Sequence, residues 1–98
     1  MSAAPDPSVR TATVTLRYWA AARHAAGTDT DAVEVTGPTP LSELLATARA
    51  THEGRRFADV LACCSVMVGD RPVTTDDPTT VLVQPGQSVE LLPPFAGG

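Results

Sequence analysis

Lysine is missing from this chain of 98 residues, and its seven basic side chains are all arginines, scattered from Arg10 to Arg71. Eleven acidic residues leave a net charge of −4, so no basic stripe exists to follow a phosphate backbone, and nucleic acid is not an expected partner. Without lysine there is also no GxxxxGK[ST] loop, so the chain is not expected to hydrolyse ATP itself. Long apolar runs are absent: Tyr18 to Ala22 and Val60 to Cys64 are far too short to span a bilayer, which excludes a membrane role. The two cysteines, Cys63 and Cys64, are adjacent and could pair only through a strained ring, which is no staple for a secreted domain. They read instead as small apolar fillers at a helix-to-strand junction. The opening MSAAPDPSVR lacks the apolar centre of a signal peptide, so the cytoplasm is the expected compartment. His24 and His52 have no partner at metal spacing, no metal site is expected, and both read as structural or surface residues. With so few aromatics, a chain this short can hardly enclose the pocket of a Ser-His-Asp hydrolase.

What is present is an ordinary globular composition, 43% apolar and 18% charged, enough for one domain. Residues 1–10, with Pro5 and Pro7, read as a flexible lead-in, residues 11–92 as the folded domain and residues 93–98 as an extended tail. From Thr11 the chain alternates, Val14, Leu16 and Tyr18 facing one way and Thr13, Thr15, Arg17 and Trp19 the other, which predicts a half-buried strand. Ala20 to Ala26 follows as a helical turn closed by Gly27. Asp31 to Val35 predicts a second strand. The strongest helix signal is Leu41, Leu44, Leu45 and Ala48 on one stripe, with Thr39 as N-cap, Pro40 in the first turn and Gly54 as the stop. Arg55 to Cys63 suggests a short further helix. Val66 and Val68 mark a strand broken at Gly69-Asp70, and Asp76-Asp77 before Pro78 a solvated turn. Val81 to Val83 is a short edge segment, and Pro85-Gly86 turns the chain into the last strand, Ser88 to Leu92. These elements describe an α+β fold, one mixed sheet packed on one main helix.

The last strand runs into Leu91-Leu92-Pro93-Pro94-Phe95-Ala96-Gly97-Gly98. A pair of glycines at an end is often only a flexible end. Here Pro93 and Pro94 stiffen the stem, which at roughly 3 Å per residue reaches about 18 Å from the body. Glycines without a Cβ can thread a narrow channel and bring a main-chain carboxylate to a reacting centre. By alternation Trp19 and Leu92 lie on the side opposite Val14, Leu16, Val89 and Leu91. Bulky apolar groups pointing away from a core belong to an interface more often than to water.

The ending LLPPFAGG, the opening strand VTLRYWAAAR with Gly27-Thr28-Asp29, the helix around SELL and the turn PGQSVELL together resemble one family. It is that of the small subunits of molybdopterin synthases, within the ubiquitin-like β-grasp sulfur carriers. The likeness covers about residues 12–98, and its specific part is the end motif. Phe95 stands where that family has a small aliphatic residue, and Gly69-Asp70 where it commonly has Asn-Gly.

The resemblance implies that a separate ATP-dependent activating enzyme adenylates the Gly98 carboxylate, and that a sulfur donor protein displaces AMP to leave a thiocarboxylate. The tail would then enter the large subunit of the synthase and give sulfur to a cyclic pyranopterin. Gly98 and Gly97 would carry the chemistry, with Phe95, Ala96, Pro94 and Pro93 lining the insertion. Leu92 and Trp19, with Arg71 and Pro72 after the turn, would touch the large subunit in a heterotetramer. No bound cofactor is implied; ATP is used by the activating partner, and no catalysis is expected of the chain alone. Three alternatives stay open: a carrier for thiamine thiazole or cysteine synthesis, a ubiquitin-like protein modifier, and a non-catalytic β-grasp binding module whose glycines are incidental.

Overall fold

In the computed structural model, residues 11–94 are described. The chain begins with strand β1 (Ala12–Tyr18), whose alternation buries Val14, Leu16 and Tyr18. A short helix α1 (Ala20–Ala26) follows and ends at Gly27, whose φ of 77° lets its N–H close the last turn on Arg23. Strand β2 (Thr30–Val35) returns antiparallel to β1, pairing Ala12 with Val35 and Arg17 with Thr30. The remaining elements are β3 (Thr39–Pro40), α2 (Leu41–Thr51), α3 (Arg55–Ala62), β4 (Ser65–Val68), β5 (Arg71–Pro72), β6 (Leu82–Val83) and β7 (Ser88–Leu92).

Five strands form one mixed sheet in the order β2-β1-β7-β4-β5. The first and last strands lie parallel at its centre, with Leu16 beside Val89 and Tyr18 beside Leu91. β4 is antiparallel to β7, and β5 is antiparallel to β4. On the inner face, Val14, Leu16, Val68, Val89 and Leu91 join Leu41, Leu44 and Ala48 of α2 in one core. This is the β-grasp arrangement expected from the sequence. Each fully buried leucine or valine contributes about 2 kcal/mol by leaving water, so this face supplies most of the cohesion.

Three details differ from the sequence reading. Thr39 is not an N-cap: it pairs with Val83 in a small second sheet formed by β3 and β6, and its hydroxyl donates to the Gly37 carbonyl. The free N–H groups at the start of α2 go instead to main-chain carbonyls, Leu41 to Val81 (2.8 Å) and Ser42 to Pro78 (3.0 Å). Gly54 does not stop α2, which ends at Thr51 with His52 as C-cap; Gly54 precedes α3 at a φ of 128°. Finally, the cysteines part company. Cys64 is buried in the core with its Sγ 3.3 Å from the Val60 carbonyl, whereas Cys63 is exposed because it caps the end of α3.

Candidate functional site

The parallel pairing of β1 with β7 brings Trp19 and the start of the tail to the same end of the sheet. Trp19 N–H donates to the Leu91 carbonyl at 3.2 Å, one residue before Leu92 and two before Pro93. Leu92 and Pro93 are half-buried and Pro94 is exposed, so the chain leaves the sheet from its central strand. The remainder of the predicted insertion, Phe95, Ala96, Gly97 and Gly98, lies outside the described residues.

The outer face of the sheet carries the other residues singled out by the sequence. Register places Thr30, Arg17, Glu90, Met67 and Pro72 in one row across five strands, with Leu92 and Ser65 paired in the next row. Trp19 is 41% exposed, one of two large hydrophobic side chains so open among the described residues. The apolar residues of the same face on the strands beyond it are Leu92 and Met67, both half-buried, and exposed Pro72. Trp19, Leu92 and Pro72 thus share one surface at the root of the tail. Arg71 does not share it: it pairs with Val68, a core-facing residue, and therefore has the other parity of the strand.

Three residues of this face escaped the sequence reading as site residues. Met67 enters because β4 pairs with β7. Arg17 and Glu90 sit side by side, Nη1 to Oε2 at 3.9 Å, and both engage Trp19. The indole Nε1 donates to Glu90 Oε1 at 2.7 Å, and the Arg17 guanidinium lies 5.0 Å from the ring centroid. Outward-facing Arg and Glu in two strands were visible as types, but their adjacency depends on a strand pairing that joins residues 73 positions apart.

A second cluster lies on the core side. Tyr18 Oη donates to Asp31 Oδ2 at 2.7 Å, and His52 Nε2 meets the same carboxylate oxygen. Tyr18, His52 and Phe57 pack edge-on or tilted, with centroids 5.0–5.6 Å apart. Burial, then the hydrogen bond to Asp31 and then that group's negative charge, push the Tyr18 hydroxyl well above the usual tyrosine range. This arrangement ties β1, β2 and the end of α2 together and gives His52 a structural part. Burial, followed by the neighbouring Cys63, pushes the Cys64 thiol up to about 11. Among the described residues no group of three or more His, Cys, Asp or Glu side chains is placed to hold a metal ion. No helix there is long and apolar enough to cross a membrane.

Comparison with known proteins gives a consistent picture. Residues 16–98 match the ThiS family. The molybdopterin synthase sulfur carrier subunit of Aspergillus niger is 30% identical over 86 residues, covering 88% of this chain and 94% of that relative. Among solved structures, SAMP1 from Haloferax volcanii superposes with a TM-score of 0.71 at 18% identity, covering 88% of this chain and 99% of the other. The complex of subunits 1 and 2 of molybdopterin-converting factor from Helicobacter pylori gives 0.59 at 21% identity, covering 88% and 99%. At these identities the two structures establish the shared fold.

Proposed function

The chain belongs to the ThiS family of ubiquitin-like sulfur carriers, and from that premise we propose that it carries sulfur on Gly98 for molybdopterin synthesis. The observation that supports this acceptor above others is the 30% identity, over nearly the full length of both chains, to a molybdopterin synthase sulfur carrier subunit.

In this reading the Gly98 carboxylate attacks ATP on a separate activating enzyme, forming an acyl-adenylate and releasing pyrophosphate. Sulfur from a donor protein displaces AMP and leaves a thiocarboxylate. The stem at Pro93 and Pro94 starts from the central strand, so the body of the domain holds the tail's origin while Gly97 and Gly98 enter the large subunit of the synthase. Phe95 and Ala96 line that insertion. The sulfur then passes to a cyclic pyranopterin, and much of the rate comes from holding thiocarboxylate and acceptor together. Trp19, Leu92 and Pro72, joined by Met67, form the surface that docks on the large subunit. The complex of subunits 1 and 2 of molybdopterin-converting factor from Helicobacter pylori supports a partner of this kind, and a heterotetramer is the assembly proposed.

The test is the intact mass of the chain after incubation with activating enzyme, ATP and a sulfur donor, followed by addition of the large subunit and pyranopterin. The expected result is exchange of one oxygen for sulfur at Gly98, reversed as the pterin gains sulfur. Loading without transfer to the pterin, but with transfer to a thiazole or cysteine synthase, would point to the other acceptors. Adducts on lysines of other proteins would point to a modifier.

A further inference from the structure

Trp19 stands half out of the sheet, yet it is not free to turn. Its Nε1 is held by Glu90 Oε1 at 2.7 Å and its ring by the Arg17 guanidinium, 5.0 Å from the centroid. Glu90 itself is 18% exposed at the side chain, against 47% for Arg17. Besides the indole it receives Ser88 Oγ at 3.4 Å on Oε2, the oxygen that faces Arg17 Nη1 at 3.9 Å. Its strand, β7, is hydrogen-bonded on both sides, so the carboxylate is fixed in the middle of the face.

We propose that Arg17 and Glu90 form a latch that holds the Trp19 indole in its docking pose and cancels the charge at the centre of the docking face. This rests on the docking reading above and specifies the partner's chemistry. Glu90 draws its donors from its own chain, so nothing opposite it needs to be cationic. A lone Lys or Arg of the partner would compete with Arg17, and a lone carboxylate would be repelled by Glu90. The occupant is therefore a protein surface of the large subunit that is apolar and uncharged at this point, closing over the indole, Leu92 and Met67. Fixing the ring beforehand lowers the ordering cost of docking. Arg17 and Glu90 are positioning residues: they act through Trp19.

Trp19 is the chain's single tryptophan, so its fluorescence reports the latch directly. In time-resolved anisotropy the wild type should show the slow decay of the whole domain. Glu90→Ala should add a fast local component, and Glu90→Gln, which keeps a carbonyl acceptor for the indole, should restore the slow decay. Calorimetric titration with the large subunit then tests the charge. Wild-type affinity should change less than about threefold between about 0.05 M and about 0.5 M salt. Arg17→Leu, which strands Glu90 beneath the partner, should weaken docking at least about tenfold, and Arg17→Leu with Glu90→Leu should return to within about threefold of wild type. An unchanged decay in Glu90→Ala, a steep salt dependence of the wild type, or a double variant as weak as Arg17→Leu would overturn the proposal. If Trp19→Ala binds the large subunit as well as the wild type, the docking reading fails on its own, while the anisotropy still decides whether the latch exists.

Discussion

At the level of single side chains, environment separates residues that the sequence presents as equals. Cys63 and Cys64 are neighbours, but one faces water and the other the core, where its thiol is pushed up to about 11. Alkylation proceeds through the thiolate, so iodoacetamide at mildly alkaline pH should label Cys63 and leave Cys64 protonated and unmodified in the native chain. Peptide mass mapping checks this, and both should react after unfolding. Asp31 likewise serves two partners at once, Tyr18 and His52. Asp31→Ala leaves both without an acceptor and should cost about 2 kcal/mol in urea denaturation. The Tyr18 hydroxyl stays protonated in the fold at a pH where the unfolded chain, near the ordinary value of about 10, has ionised. Its contribution is therefore complete below that pH and lost as pH rises above it. Tyr18→Phe should flatten this alkaline fall in stability.

At the level of elements, strand ends and helix ends decide more than helix propensity does. Ala20, the first residue of α1, has a φ of 49°, a left-handed conformation that costs a side-chain-bearing residue about 1 kcal/mol. It turns the chain between Trp19 and α1. Ala20→Gly should therefore raise stability by roughly 1 kcal/mol, the reverse of what a glycine does inside a regular helix. In α2 the stripe is held by packing: Leu44 is 1% exposed, and Leu44→Ala should cost about 3 kcal/mol through lost burial and a cavity. Thermal and urea unfolding measure both. The start of α2 shows why its cap was unreadable. Thr39 has the residue type and position of an N-cap, but the β6 strand claims it, and the carbonyls of Val81 and Pro78 take over the capping.

For the molecule as a whole, the cluster buried among the described residues extends from Val14 to Leu91, and in the proposed function the chemistry lies at Gly97 and Gly98, beyond that cluster in the sequence. A one-residue extension beyond Gly98 should therefore abolish sulfur loading in the mass assay while leaving the melting temperature within about one degree of wild type, well inside the shift that a core change produces. A large fall in melting temperature would give those residues a packing role instead of a chemical one.

Local pattern alone was enough for much of this protein. The period-two alternation of β1 and β7, the apolar stripe of α2, and the turns at Gly27, Gly69 and Gly86 are written in neighbouring residues, because each depends on backbone geometry over a few positions. Trp19, Leu92 and Pro72 were separately legible as outward or turn residues. Tertiary structure decided which of them meet. Pairing the first strand with the last set Arg17 beside Glu90 and Trp19 beside the tail, pairing β4 with β7 added Met67, and the two-residue register of β5 turned Arg71 away from Pro72's face. Such neighbours are chosen by closing the whole sheet over one core, a long-range condition that no stretch of sequence contains.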